Sequence, residues 1–296
     1  MAQPAALATP RGDQAVAGVT SDQVDRRMKL FNRICTGVLI AFALLWLMPL
    51  AWALDTALKP NSETTRTTWL IDNPTLGAFG RVLRDTGILN WFGASVITAT
   101  LSAVGTVLTA SLAAYALSRL RFRYRNVLFW LVLAGIMIPG QVLIVPQFRE
   151  MDSFGLLNTF WAVSLPQIPT AVAVFIFKQF FDGLPKELEE VARMDGAGYL
   201  RIYARIIMPL ARPAVAAVAI FAFVTSWNDL LWPLLVLSNP DIMTIPVGLA
   251  TVQGAFGIRY ADTMASAILG AVPLVAVFLL FQRNIVEGIA GTGLKG

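Results

Sequence analysis

The chain has 296 residues, of which 56% are hydrophobic and only 14% are charged, and its formal net charge is +5. With a mean hydropathy of +0.66, this composition excludes an ordinary soluble domain and indicates an integral membrane protein. Histidine is absent and Cys35 is the single cysteine, which excludes histidine-based catalysis, a disulfide framework and the usual zinc sites.

The first part of the chain combines a polar segment with an apolar run. Residues 1 to about 27 are rich in Ala, Gly, Pro and Asp without an apolar period, which predicts a disordered cytoplasmic tail. The apolar run of residues 34–54 follows four basic residues, as the core of a secretory signal would. It exceeds the roughly 7 to 15 residues of a signal's apolar region, so we expect an uncleaved transmembrane helix.

Five further apolar runs predict an all-α membrane protein with six transmembrane helices in one domain, residues 28–296. The predicted spans are residues 34–54, 91–117, 126–148, 160–177, 213–237 and 263–282. A short helix near residues 76–83 is expected between the first two spans. Prolines at positions 139, 146, 166 and 169 predict kinks in the third and fourth spans. One interpretation is that these kinks serve only the packing of the helices. The other is that they form a bend that lets paired subunits open alternately.

Lysine and arginine lie mostly on one side of these spans. With the N-terminus inside, 17 of the 23 fall on the cytoplasmic side and six fall outside. The positive-inside rule therefore places both termini, and the segment between the fourth and fifth spans, in the cytoplasm. The positive net charge is thus a topology signal, and we expect no nucleic-acid partner.

The interior of the predicted spans is almost free of charge. Asp229 is the only acidic or basic side chain within them, whereas a proton- or ion-coupled transporter usually keeps several such groups because they are costly and functional. The chain also lacks a phosphate-binding G-x-x-x-x-G-K-[ST] loop. We therefore expect a transport subunit, not an enzyme, whose energy comes from a partner. The small-residue run of residues 94–116 should pack closely against a helix of this chain or of another subunit.

The surroundings of Asp229 allow two interpretations. It lies 17 residues beyond Arg212, about 25 Å along a helix, and therefore near the outer face of the membrane. In one interpretation Trp227 and Trp232 form an interfacial belt and Asp229 is hydrated. In the other, Asn228 and Asp229 line the outward mouth of a substrate pathway, with the tryptophans as stacking faces.

Residues 185–209 form a charged island between two apolar runs. A proline suited to a first helical turn precedes three glutamates where the helix dipole favours negative charge: Pro185, Glu187, Glu189 and Glu190. Gly196-Ala197-Gly198 can end this helix, because glycine adopts positive φ readily. A second helix is predicted to present an apolar face made by Tyr199, Ile202, Tyr203 and Ile206.

Part of this island resembles a known motif. Glu190-Val191-Ala192, followed by Gly196, Ile206, Met208 and Pro209, resembles the EAA loop of ABC importer permeases, E-A-A-x3-G-x9-I-x-L-P, and departs from it only at Val191 and Met208. The resemblance implies a type I ABC importer permease fold in which this loop forms a coupling helix that docks on a cytoplasmic ATPase subunit. The residues expected at that contact are Glu190, Ala192, Arg193, Asp195 and Gly196. The alternative is a passive amphipathic linker on the membrane surface.

Other segments are similar to the second permease of carbohydrate importers, such as the maltose and glycerol-phosphate systems; they are residues 114–119, 138–141, 155–159, 227–233, 286–288 and 293–296. The resemblance implies a permease subunit of an ATP-driven carbohydrate importer in the bacterial cell membrane. Its partners would be a homologous second permease in a heterodimer, two cytoplasmic ATPase subunits, an extracytoplasmic solute-binding protein and membrane lipid. This chain would hold no cofactor, and ATP and magnesium would bind to the ATPase. The alternatives are a self-sufficient secondary transporter or channel and a membrane-embedded transferase, for which no cluster of acids is found.

Overall fold

The computed structural model describes residues 21–64, 73–255 and 259–293, and within those ranges it consists of helices and turns. The prediction of an all-α protein is therefore confirmed. The chain divides into two compact units, residues 1–52 and 53–296. In chain order the α-helices are α1 (Ser21–Ala57), α2 (Gly77–Asp85), α3 (Ile88–Arg119), α4 (Arg125–Ala134), α5 (Ile144–Ser153), α6 (Phe160–Ser164), α7 (Ala171–Asp182), α8 (Glu187–Met194), α9 (Tyr199–Ile202), α10 (Met208–Leu210), α11 (Arg212–Asn228), α12 (Leu231–Val236), α13 (Ile245–Ala255) and α14 (Tyr260–Gly293).

Helix α1 begins earlier than the sequence indicated. It starts at Ser21, inside the segment predicted as a tail, and continues to Ala57. Residues 1–20 lie outside the described part of the chain. Large apolar side chains such as Trp46 are exposed along the helix, as a lipid-facing span requires.

Several predicted spans are interrupted by a bend between two helices, and most of these bends lie at proline. A bend of 93° separates Arg125–Met137 from Gly140–Ser153, and a bend of 51° separates Phe160–Gln167 from Ala171–Asp182. Both kinks were predicted, since proline removes a backbone hydrogen bond. A further break after α11, before α12 begins at Leu231, was not predicted.

The described residues do not confirm the predicted number of six membrane spans. Among the described residues, Arg26–Ala57 and Ile88–Arg119 are long and apolar enough to cross a membrane, and the count rises to five if each sharply bent helix pair is one span. One of those pairs joins Tyr199–Leu210 to α11. The predicted short helix after the first span is confirmed as α2.

Helix α3 is the central element of the second unit. One face of small residues is buried along its whole length and packs against α7 and α11, so the predicted close packing of residues 94–116 occurs within this chain. Gly105 permits a further contact, with the break between α6 and α7, because a Cβ atom there would lie 2.5 Å from Ile168 Cδ1. Such close approach of helices through small residues is typical of membrane proteins.

The two ends of α3 lie in different hydrophobic clusters. At its C-terminal end, Tyr115 packs with Phe177 and Phe181 of α7 and with Ile202 and Ile207. At its N-terminal end, a separate cluster contains Trp91, Trp227 and Ile245. The C-terminal cluster holds residues 185–209 in place.

Candidate functional site

Residues 185–209, named here the docking segment, form the predicted pair of helices with a tight turn between them. Helix α8 has three glutamates in its first turn and ends at Met194. The Gly196 N–H donates to the Arg193 carbonyl at 3.0 Å, and the Ala197 N–H donates to the Ala192 carbonyl at 2.9 Å. This is the hydrogen-bond pattern of a Schellman helix end. Gly196 has φ +78°, a conformation that favours glycine.

The second half of the docking segment differs from the predicted regular helix. Helix α9 is followed by a π-helical turn at Tyr203–Ile207. Because a π-turn inserts an extra residue, it rotates the following side chains. Ile207 is fully buried instead of Ile206, while Ile202 is buried as predicted and Tyr199 is 53% exposed.

The inner face of the docking segment carries a buried ion pair. Glu189 on α8 is only 5% exposed, and its Oε1 lies 3.2 Å from Nε of Arg119, the last residue of α3. The Arg119 guanidinium also donates to the carbonyls of Phe181 and of Leu184, the latter at 2.9 Å. One guanidinium therefore connects three segments: the end of α3, the end of α7 and the first turn of α8.

A second set of contacts fixes the remainder of the docking segment. The Arg193 guanidinium lies 3.5 Å from Glu189 Oε2 and 4.8 Å from the centre of the Tyr199 ring. The Tyr115 hydroxyl donates to the Tyr199 carbonyl at 3.3 Å, and the hydroxyls of Ser111 and Tyr203 lie 2.7 Å apart. Both helices of the segment are thus attached to α3.

The outer face of the docking segment is open. Of the residues expected at a partner contact, Glu190, Arg193, Asp195 and Gly196 are exposed. Ala192 is only 8% exposed and packs in the chain's own core. Apolar side chains lie beside the exposed charges; they are Val191, Met194 and Leu200, which are 53%, 79% and 75% exposed.

The sequence did not single out Arg119 or Glu189. Arg119 entered only as a basic residue at the end of a span and as part of the similar segment 114–119. The resemblance drew attention to Glu190, the neighbour of Glu189. Adjacent helical residues point about 100° apart, so the two acids face different directions. Nothing local shows which one faces the core, because the partner of Glu189 lies 70 residues earlier in the chain.

A second polar site joins the breaks of two helices. Asp229, at the end of α11, accepts a hydrogen bond of 2.8 Å from Gln167 Nε2, which lies at the break between α6 and α7. Gln167 Oε1 accepts from Ser102 of α3 at 3.3 Å, and Ser226 lies 3.3 Å from the same hydroxyl. This chain of hydrogen bonds satisfies polar groups that would be costly in a membrane.

The surroundings of Asp229 fit neither sequence interpretation fully. Trp227 is 2% exposed, stacked on Phe223 at 5.7 Å and in edge contact with Phe92 at 5.9 Å, so its faces are already occupied. Trp232 is 6% exposed and donates from Nε1 to the Ala162 carbonyl. Neither ring lies at the surface, because each fills a core cluster. Asn228 is exposed, and Asp229 is half-buried.

A third polar cluster clamps α2 to the start of α14. Arg81 donates to Asp262 with Nη2 at 2.6 Å from Oδ1 and Nε at 3.1 Å from the same oxygen. These hydrogen bonds raise the pKa of the Arg81 guanidinium. Within the described ranges, no group of three or more acids or cysteines is placed to hold a metal ion.

The sequence is similar to a known protein family and to individual transport proteins. A family model described as "Binding-protein-dependent transport system inner membrane component" matches residues 105–289. The arabinooligosaccharides transport system permease protein AraQ of Halalkalibacterium halodurans is 39% identical over 259 residues, which cover 86% of this chain and 93% of AraQ. The sulfoquinovosyl glycerol transport system permease protein SmoH of Agrobacterium fabrum is 34% identical, over 84% of this chain and 89% of SmoH.

The fold also has a counterpart among solved structures. A chain in the crystal structure of a bacterial ABC transporter involved in the import of the acidic polysaccharide alginate superposes with a TM-score of 0.77 at 22% sequence identity. The superposition covers 89% of this chain and 98% of that chain. At this identity the likeness concerns the fold.

Proposed function

The chain belongs to the family of binding-protein-dependent transport system inner membrane components, and from that membership we propose that it is the permease subunit of an ATP-driven carbohydrate importer. The observation that carries this proposal is the docking segment. Its inner face is anchored to the C-terminal end of α3, while its outer face presents exposed charges together with Val191, Met194 and Leu200. An exposed apolar patch rimmed by charge is typical of a protein interface.

The proposed partner of this outer face is a cytoplasmic ATPase subunit. Glu190, Arg193, Asp195 and Gly196 would contact it, whereas Ala192 would support the contact from beneath. ATP and magnesium would bind to two such ATPase subunits and not to this chain. A homologous second permease would complete a heterodimer, and an extracytoplasmic solute-binding protein would deliver the substrate; a related fold occurs in a structure of the alginate transporter in complex with a periplasmic protein.

The proposed topology has six spans with both termini and the docking segment in the cytoplasm. The excess of Lys and Arg on one side supports the orientation. Counting each bent helix pair as one span gives up to five spans in the described residues, and α14 would supply the sixth. The chain would lie in the bacterial cytoplasmic membrane, surrounded by lipid. In this orientation the Arg81–Asp262 pair lies on the outer side.

The proposed substrate is a carbohydrate. The names of the relatives refer to arabinooligosaccharides, sulfoquinovosyl glycerol and sn-glycerol-3-phosphate, all of which carry several hydroxyls. Within this chain we place the substrate pathway at Asn228 and Asp229, since an exposed amide and a half-buried carboxylate can exchange hydrogen bonds with hydroxyls. Trp227 is left out of the pathway because its ring is buried.

Affinity purification of the tagged chain in mild detergent, followed by identification of co-purifying subunits and an ATPase assay, tests this proposal. We expect an ATPase and a second permease to be recovered with the native chain and lost with Gly196→Trp, which places a large ring on the docking face. Gly155→Trp is the matched control, because Gly155 also has a positive φ, +67°, and a Cβ atom there also meets nothing within 4 Å, but it lies outside the docking segment. A chain that purifies alone and transports without ATP contradicts the proposal.

A further inference from the structure

The ion pair between Arg119 and Glu189 is buried, and Arg119 has further partners in other segments of the chain. The side chains are 4% and 6% exposed, so both charges are removed from water. Such a pair is tolerated only with good geometry and further hydrogen bonds. The facing atoms, Arg119 Nε and Glu189 Oε1, lie 3.2 Å apart as an ion pair without forming a hydrogen bond. The Arg119 guanidinium is held in place by its hydrogen bonds to the carbonyls of Phe181 and Leu184.

The location of Arg119 gives this pair a mechanical consequence. It is the last residue of α3, where the helix dipole favours a cation. The carbonyls it binds lie at the end of α7 and in the connection to α8, and Glu189 lies in the first turn of α8. The docking helix therefore cannot move away from α3 without breaking a buried charge pair.

The apolar contacts at this end of α3 lead to the same conclusion. Ala192 of α8, Ile202 of α9 and Ile207 of the π-turn share one buried cluster with Tyr115 of α3. These contacts alone would permit sliding, since hydrophobic contact has no fixed direction. For α8 the Arg119 guanidinium adds direction, because its Nη2 donates to the carbonyls of Phe181 and Leu184 while its charge faces Glu189.

The opposite end of α3 holds the outer part of the molecule. Trp91 donates from Nε1 to the Pro240 carbonyl at 2.8 Å, and the Ser95 hydroxyl accepts from the Ile245 N–H at 2.8 Å. The 32 residues of α3 span about 48 Å as one unbroken helix. If α3 moves as a rigid helix, a displacement of its C-terminal end also displaces its N-terminal end.

We propose that Arg119 is a positioning residue that joins α8 to α3, so that movement of the docking helix is carried along α3 to the contacts of Trp91 and Ser95. This inference rests on the proposed function, because it requires an ATPase subunit that moves α8. It assigns α3 as the element that carries the movement. It also assigns the pairing with Arg119 to Glu189 and not to the exposed Glu190.

The test uses the assembled complex with a reporter at the outer end of α3. Leu89, which is 69% exposed, is changed to Cys in a Cys35→Ser background. The rate of its reaction with a maleimide is then measured with and without ATP and magnesium. Recovery of the ATPase subunit is measured on the same samples. The variants are Arg119→Gln, Arg119→Lys and Glu189→Gln, and the matched control is Arg121→Gln, an exposed arginine two residues further along.

The expected result has two parts. ATP changes the reaction rate in the parent and in Arg121→Gln. The change is lost in Arg119→Gln and Glu189→Gln although the ATPase subunit is still recovered, and Arg119→Lys restores part of it because the positive charge is kept. A purely stabilising role would instead lower recovery of the complex and leave the ATP response of the assembled fraction intact, which overturns the inference.

The remaining outcomes separate this inference from the proposed function. If Arg119→Gln fails to accumulate, the near-isosteric Glu189→Gln decides, and an unchanged ATP response there overturns the inference. A parent complex that contains the ATPase but shows no ATP response at Leu89→Cys overturns the inference alone. A parent chain that recovers no ATPase contradicts the proposed function, and the inference falls with it.

Discussion

Gly196 shows how a single residue shapes the docking segment. Its φ of +78° lies in the left-handed region, while a Cβ atom built there would meet nothing within 4 Å. Gly198, two residues on, has equal space and an ordinary φ of −74°. Any cost of a side chain at Gly196 therefore comes from the backbone conformation and not from crowding.

This difference gives a prediction for two matched alanine variants. Gly196→Ala should destabilise the protein by about 1–2 kcal/mol, the cost of the left-handed conformation for an L-residue. Gly198→Ala should cause no comparable loss, because its backbone is extended. Thermal unfolding of the purified chain in detergent measures both. Equal unfolding midpoints for the two variants would show that the turn is not held at positive φ.

Residue type and spacing predicted the turn and the helices on either side of it, because glycine, proline and glutamate have strong local preferences. They did not predict which glutamate is buried. That outcome depends on Arg119, which reaches Glu189 only after α3 and α7 have packed. The displacement of Ile206 by Ile207 has a similar origin in the π-turn, for which the sequence carried no local signal.

At the scale of elements, α3 and its neighbours depend on close approach at glycine. A Cβ atom at Gly248 of α13 would lie 2.2 Å from the Trp91 ring, whereas one at Gly93 of α3 would meet nothing within 4 Å. The Trp91 indole is also held by its hydrogen bond to the Pro240 carbonyl. Space at Gly248 is therefore required for the outer end of α3 to pack.

We predict opposite effects for alanine at these two glycines. Gly248→Ala should destabilise the protein by about 1–3 kcal/mol, since overpacking forces the Trp91 ring to move. Gly93→Ala should be neutral or slightly stabilising, because alanine has the higher helix propensity. Thermal unfolding and tryptophan fluorescence report both changes. A Gly248→Ala variant with native stability and an unshifted emission spectrum would contradict the packing described here.

The breaks between helices were predictable only where proline marks them. Pro139, Pro166 and Pro169 lie at the two bends that the sequence indicated. The break at Asp229 also has a proline nearby, because Pro233 in α12 lacks the N–H that would bond to the Asp229 carbonyl in a continuous helix. The hydrogen bond from Gln167, 62 residues away in the chain, is the part of this break that local composition does not show.

The Gln167–Asp229 hydrogen bond leads to a further prediction. Asp229→Asn keeps a carbonyl acceptor for the Gln167 amide and should retain most of the stability. Asp229→Ala leaves that amide without its partner and should cost about 1–3 kcal/mol. The midpoint of thermal unfolding of the two variants in detergent provides the comparison. Equal decreases in the unfolding midpoint for the Asn and Ala variants would mean that the carboxylate charge, and not the hydrogen bond, stabilises the contact between the two helix breaks.

At the scale of the whole molecule, the proposed topology follows from charge distribution. Basic residues collect at the end of α3 that carries the docking segment, with Arg121 and Arg123 in the short connection to α4. Arg84 lies on α2 at the other end. The apolar composition predicted the class of protein, whereas the number of spans depends on how the bent helix pairs are counted.

A labelling experiment tests this topology directly. Because Cys35 is the single cysteine, Cys35→Ser gives a background without thiols. In intact cells, Arg84→Cys should react with a membrane-impermeant maleimide, and Arg121→Cys should react only after the membrane is opened. The reverse pattern would invert the orientation and place the docking segment outside the cell.

The central claim is that the docking segment of this chain contacts an ATPase subunit. Met194 and Met137 are both strongly exposed, at 79% and 84%, but only Met194 lies on the docking face. A photo-reactive phenylalanine analogue is placed at each position in turn, and adducts formed in native membranes are identified by mass spectrometry. We expect an adduct with an ATPase subunit from position 194 and none from position 137. Absence of that adduct from position 194, in membranes where the two variants are equally abundant, would contradict the claim.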